Sequence, residues 1–385
     1  MTVPRVDVHQ HVWPAPLVSA LRARTRAPRL VGWTLYLDGE PPYEVRPEDH
    51  AIDRRAELAA QDGIDLALVS LSSSLGIESL PAADAAGLLD AYHEGVLALP
   101  RPFGAWAAAS VDDPDPAALR EVLGAGCVGL QLPATALADA EGYARCAPLL
   151  DELDRVGAPL FVHPGPAAAD PSAPPWWPAM VSYVAQMHTA WFAWHEYGAP
   201  RLPGLRVGFA MLAGLAPLHT DRMAARGGPA TIPSAGVFVD TSSYGPEIVD
   251  AVTAGLGHDR VVLGSDRPYA APLLFDDERD ELVRRHNPAR LFRTSHVPVY
   301  DRRGDLFSRV ALVVRHLIAA GILHTSIERV RPPGSTGHVT RTPVVVLRTD
   351  DDDRHTNRLA VYGSSVAMRR RRRGLDLHWD DAVLG

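Results

Sequence analysis

The chain contains no lysine: all 38 residues counted as Lys plus Arg are arginine. That absence removes whole mechanisms. No Schiff base can form on a lysine amine, no phosphate-binding loop can present its lysine, and no carboxylated lysine can bridge two metal ions. Any metal centre is therefore expected to be mononuclear. Cysteine is almost as scarce. Cys127 and Cys146 alone provide neither a disulfide framework nor a cysteine zinc site. Excess positive charge is lacking too. The net charge of −8 gives no general attraction to nucleic acid or anionic membrane. The one basic block, Arg369 to Arg373, is the length of an ordinary solvated face or tail. No apolar run reaches membrane-spanning length, and the N-terminus lacks a signal-peptide pattern. The expectation is a cytoplasmic protein with a small-molecule substrate and no nucleic-acid or membrane partner, its self-association left open.

What is present is enough apolar sequence for a large core: 385 residues, 46% hydrophobic, with one big domain and a small one as the natural division. Short apolar runs recur at the spacing of β/α units. They lie at 4–12, 64–72, 103–110, 127–133, 158–165, 205–212, 236–242 and 260–266. Helix-like stretches such as "DPAALREVLGAG" and "YARCAPLLDELDRVG" separate them. Eight strands alternating with helices over about 290 residues predict an α/β chain, a (β/α)8 TIM barrel. A doubly wound sheet would want a glycine-rich turn after its first strand, and that turn is absent.

In such a barrel, chemistry gathers at the C-terminal ends of the strands. The first strand ends in "VDVHQH", placing His9 and His11 two apart, hence on one face. Alone, the pair also fits the polar face of a surface strand. Strand five, however, ends in His163 ("FVHPG") and strand eight in Asp266 ("GSDRP"). Three imidazoles and a carboxylate at one mouth make a cage for one divalent ion, with zinc favoured by the nitrogen-rich set. Such a centre acidifies a water and polarises a carbonyl or carboxylate oxygen.

At this point the chain resembles a known family. "DVHQHVWP", "FVHPG", "LGHDRVVLGSDRP" and "NPARLF" are similar to the amidohydrolase-related branch of the amidohydrolase superfamily, which includes aminocarboxymuconate-semialdehyde decarboxylase and related aromatic acid decarboxylases. The resemblance spans residues 4 to 293. It implies His9, His11, His163 and Asp266 as metal ligands, with Asp266 also catalytic, handling the proton of the activated water. One departure stands out. The family usually has a histidine after strand six, in a His-Gly-Gly run followed by proline. Here the matching run is "FAMLAGLAP", with Met211 in the histidine's place, and methionine cannot transfer a proton. His188, His195 and His219 follow in neighbouring segments and are expected to be packing or surface residues.

Trp13, Trp176, Trp177 and Arg267 are the expected substrate-binding residues. The tryptophans would wall a pocket for an apolar or aromatic substrate. Arg267 would hold a carboxylate, unless it pairs with a neighbouring acid. The composition changes after "NPARLF". Residues 294–385 form a C-terminal extension of uncertain fold, set apart from the barrel at 1–293. It offers a helix candidate at 305–323, then a turn leading into a strand. The tail resembles the beginning of the deazaflavin-dependent nitroreductases, small split β-barrels, at Thr336, Gly337, Arg341, Thr342 and Pro343. Pro333 stands where that family has glycine, and the chain is too short for the whole barrel, so no cofactor is credited to this partial module.

The expected function is a metal-dependent hydrolase acting on a small organic acid, amide or lactone. Non-oxidative decarboxylation of an aromatic or unsaturated acid uses the same cage. A non-catalytic metal- or ligand-binding barrel is the reading from another class.

Overall fold

The computed structural model describes residues 3–38, 42–167, 172–174, 176–228 and 236–292, together with four strands further on. The chain divides into two compact units, Met1–Val299 and Tyr300–Gly385.

The first unit is a closed parallel barrel. Its strands are β1 (Val6–His11), β5 (Leu66–Ser70), β6 (Phe103–Ala105), β7 (Leu130–Pro133), β8 (Leu160–His163), β9 (Val207–Phe209), β10 (Val237–Asp240) and β11 (Val261–Val262). Each lies inside one of the eight apolar runs. Pairing follows the chain, β1-β5-β6 and β7-β8-β9-β10-β11. Two seams join the sheets. The Ala107 amide donates to Gly129 O (2.8 Å) and the Gln131 amide to Ala107 O (2.8 Å). On the other side the Val8 amide reaches Leu263 O (2.9 Å), and the His11 amide reaches Arg267 O (2.7 Å). With both faces covered, these strands are buried end to end, as parallel strands generally are.

Between β1 and the helix α2 (Ile52–Gln61) lies an insertion. It holds the helix α1 (Ala15–Ala23) and a small antiparallel sheet of β2 (Arg29–Val31), β3 (Thr34–Tyr36) and β4 (Tyr43–Glu44). Helices α3 (Ala82–Leu97), α4 (Pro116–Gly124), α5 (Ala140–Val156) and α6 (Tyr183–Ala193) then alternate with the strands. Their ends follow local chemistry. Asp115 caps α4 by accepting from the Ala117 and Ala118 amides, and Pro116 starts the helix with its φ already set. Asp139 caps α5 in the same manner. Inside the barrel Phe161 stacks on Trp106 at 5.1 Å, and the Trp106 indole N–H donates to Val8 O (2.8 Å). This plug of aromatic side chains is the floor beneath the strand ends.

The second unit shows β12 (Leu323–Val330), β13 (Thr342–Thr349), β14 (Arg358–Tyr362) and β15 (Ser365–Arg369) in one antiparallel sheet, in that order. Leu323 pairs with Thr349 and Val330 with Thr342. The expected strand after the turn is therefore β13, opening on Thr342 and Pro343. Pro333, Thr336, Gly337 and Arg341, and the helix candidate up to its last residue, lie outside the described residues.

Candidate metal centre

His9 and His11 leave β1 on one face, His163 closes β8, and Asp266 follows β11. One ligand atom from each of the four lies within 4.8 Å of the others. The three imidazole rings stand edge to face, with centroids 4.9–5.0 Å apart. All three histidines are buried.

The outward nitrogen of every ring is engaged. His9 Nδ1 donates to the Asp240 carboxylate (2.8 Å), His11 Nδ1 to Ser70 O (3.2 Å) and His163 Nδ1 to Pro164 O (2.8 Å). The protons therefore sit on Nδ1, and the Nε2 lone pairs point inward, as metal-bound histidines are normally held. His9 Nε2 and His11 Nε2 lie only 3.1 Å apart. Two facing lone pairs at that distance repel unless positive charge lies between them. Asp266 Oδ1 completes the set, 3.2 Å from His11 Nε2 and 3.6 Å from His9 Nε2. Donors about 2.0–2.1 Å from a tetrahedral ion stand about 3.4 Å from each other. These residues fit a divalent ion.

The electrostatics of His11 and His163 agree, while His9 is drawn the other way by its carboxylate neighbours. Burial presses the His163 and His11 imidazoles below their ordinary value, so both are neutral near pH 7. Burial also opposes charge on His9, but the Asp240 charge and hydrogen bond outweigh it and raise that imidazole. Burial opposes ionisation of Asp266 as well. There the hydrogen bond with His11 and the charges of His9, His11 and His163 win, leaving its carboxyl below the usual range.

Asp240, at the end of β10, is the partner that sequence reasoning missed. Fully buried, it also accepts from the Met211 amide (2.9 Å), the Ser242 amide (2.9 Å) and the Ser242 hydroxyl (2.6 Å). Room for it comes from Gly264, where a Cβ would stand 2.4 Å from Asp240 Oδ2. A strand-ending aspartate in "GVFVDTS" was the available signal. Asp266 itself has φ 58°, a left-handed conformation that aspartate tolerates better than most residues. Its amide donates to His9 O (2.9 Å), tying β1 to the strand-eight loop.

No protein-family model matches the chain, and no curated protein does. Solved structures do. A 5-carboxyvanillate decarboxylase from Sphingomonas paucimobilis is 19% identical with a TM-score of 0.57, covering 76% of this chain and 100% of its own. The enzyme of that name from Novosphingobium aromaticivorans is 17% identical, TM-score 0.57, covering 76% and 96%. It was crystallised with manganese and 4-hydroxy-3-methoxy-5-nitrobenzoic acid. An amidohydrolase II structure is 16% identical, TM-score 0.59, covering 75% and 100%. The fold, a (β/α)8 barrel, is shared with these structures. Nothing in these likenesses supports the nitroreductase resemblance of the tail.

The remaining expected residues are placed less as foreseen. Arg267 takes the alternative foreseen for it, pairing its guanidinium with a nearby acid, Asp62, through Nη2 (2.7 Å) and Nε (2.8 Å). Trp13 is a correction. At 4% exposure it is part of the core, stacked on His50 at 4.7 Å, with its indole N–H donating to Ser72 Oγ (3.1 Å). Burial, with Arg55 and His11 nearby, pushes that His50 down to about 3. Trp176 and Trp177 are exposed and lie against each other at 5.8 Å, just before α6. Tyr269, not foreseen, brings its ring to 5.8 Å from that of His11. His195 packs on Trp191 (4.8 Å), and His188 and His219 pair with each other (5.0 Å).

Proposed function

We propose that this chain is a metal-dependent hydrolase acting on a small organic acid, amide or lactone. One observation carries the reading: three imidazole Nε2 atoms and the Asp266 carboxylate converge, and every outward imidazole nitrogen already has a partner. A divalent ion held by His9, His11, His163 and Asp266, zinc by the donor set, would supply an acidified water and a polarised substrate oxygen. The chain's own residues do the rest. Asp266 is ionised at neutral pH and accepts the proton of the attacking water. Asp240, Ser70 O and Pro164 O fix the tautomer and direction of the three imidazoles. Tyr269 and the exposed pair Trp176 and Trp177 offer apolar faces for the substrate.

Hydrolysis is favoured over carbon dioxide loss because Met211 stands where the related decarboxylases are expected to use a histidine. Its backbone is at the site, bonded to Asp240, but its side chain moves no proton. Non-oxidative decarboxylation remains a second reading, supported by decarboxylases among the structures that share the barrel. Incubating the metal-loaded protein with a panel of lactones, amides and aromatic carboxylic acids separates the two. Acid release from lactone or amide is expected, and carbon dioxide from an acid overturns the choice. No turnover at full metal occupancy points to a non-catalytic barrel.

A further inference from the structure

A second pair of histidines lies outside the cage. His188 stands on α6 and His219 ends the segment Met211–His219 that follows β9. Their ring centroids are 5.0 Å apart and their planes meet at 85°. Within the cage the corresponding values are 4.9 Å and 85°, 4.9 Å and 87°, and 5.0 Å and 79°. The outer pair thus matches the cage rings in centroid distance and ring angle, although its ring nitrogens, unlike those of His9 and His11, are not in hydrogen-bond contact. It lacks the rest of the cage. Neither imidazole makes a side-chain hydrogen bond to a described residue, and the pair is not bonded to itself, whereas His9, His11, His50, His93 and His163 all have such partners. His219 is exposed and His188 partly so.

We infer that His188 and His219 together form a second, weaker site for a divalent cation of zinc's class. Imidazole is a ligand for zinc, nickel and copper in its neutral form. Burial first, and the neighbouring His219 second, hold His188 below its ordinary value, so at neutral pH its lone pair is available. Two protein nitrogens leave the remaining positions to water, so this site binds more weakly than the four-ligand cage. The ion is therefore expected to exchange with solvent.

The location gives such an ion a consequence. His188 and His219 come from two elements already in close contact: a Cβ on Gly214 would lie 2.4 Å from Val184 O and 2.9 Å from the His188 amide nitrogen. Gripping both imidazoles fastens α6 to the outer end of the segment whose inner end, the Met211 amide, is bonded to Asp240. A ligand that binds only the folded arrangement raises its stability by mass action. Zinc beyond the first equivalent should therefore protect the barrel against heat.

The test is zinc content per chain after dialysis against zinc buffered at two free concentrations. One just fills the tight site and the other is a hundredfold higher. The parent should hold one equivalent at the lower concentration and two at the higher, with a higher Tm at the second. His219→Ala, a change at an exposed side chain, should keep the first equivalent, lose the second and lose the rise in Tm. His163→Ala should do the converse, losing the tight equivalent and keeping the weak one. Because the readouts are stoichiometry and melting, the result stands apart from the proposed hydrolysis. A parent that stops at one equivalent at both concentrations overturns the inference, as does a His219→Ala variant that still takes up two.

Discussion

The C-terminal ends of β1 and β9 open on the same barrel mouth and are built in opposite ways. At β1 the backbone stays extended, with one register shift against β5 between Asp7 and Gln10, and the specialisation lies in the side chains of His9 and His11. Beyond β9 the side chains are ordinary apolar ones, and the specialisation lies in the backbone. Met211, Leu212, Ala213, Gly214 and Leu215 all have left-handed φ, between 47° and 64°. For non-glycine residues that conformation costs about 1–2 kcal/mol each, so packing and hydrogen bonds must impose it. Asp240 joins the two ends, one carboxylate oxygen on His9 and the other on the Met211 amide. The difference teaches that a site's framework and its reacting groups are separable. The turn is held by Asp240 through the Met211 amide while the side chain it presents has no acid–base chemistry.

The sharpest way to break that comparison is to exchange the roles of the two ends. If β1 and its partners carry the reaction, Asp266→Asn removes the base and should lower the rate per bound metal by about 10²–10⁴-fold. Met211→Ala should change it several-fold at most. Equal losses in the two variants would show that the turn's side chain takes part. Next in size is the joint itself. Asp240→Asn leaves the cage residues in place but weakens the support of His9, and should reduce metal affinity by roughly 10–100-fold, read by competition with a chelator. Unchanged affinity would mean that Asp240 serves the turn alone.

A third strand end extends the comparison. Beyond β5 the fully buried Glu78 accepts from the Ser73 hydroxyl, while Gln131 donates to Ser73 Oγ (2.8 Å) and Leu71 O (2.7 Å). Among the described residues, Glu78 Oε2 and Gln131 Oε1 make no well-formed hydrogen bond. Burial pushes the Glu78 carboxyl up to about 7, so here the buried acid stays mostly neutral below that pH, unlike Asp266. A folded-state value above the unfolded one means that the stability of the neutral acid is fully present below the ordinary value of 4.5 and is lost as pH rises through about 7. Glu78→Gln should therefore be no better than the parent at pH 4 and more stable above pH 7, by about 3 kcal/mol at most. Melting curves against pH would show it, and a difference that does not vary with pH would refute it. The smallest effect belongs to the turn. Ala213→Gly deletes a buried methyl but relieves a residue at φ 53°. The two nearly cancel, and stability should stay within about 1 kcal/mol of the parent.

The legible parts of the molecule were those where side-chain type reports position. Barrel strands are buried on both faces, so they read as apolar runs, and all eight were found at their places. Histidines and an aspartate that close such runs stand out, and the four come together. Direction was harder. Trp13 and Arg267 are two and one residues from ligands, yet one turns into the core and the other reaches Asp62, because adjacency in sequence does not fix which way a side chain leaves the backbone. Asp240 was hidden by being an aspartate at the end of a strand with no partner visible in the sequence. The left-handed turn was hidden more deeply: of its five residues only Gly214 belongs to a type that favours positive φ, and the rest are held there by tertiary contacts.

The measurement that reaches the central claim most directly is the metal content of the purified, dialysed protein and of its His9→Ala and His163→Ala variants, each folded by circular dichroism. The account predicts one tightly held divalent ion per parent chain, zinc foremost, and none held tightly in either variant. A parent without metal after reconstitution, or a variant that keeps its tight equivalent, would contradict it.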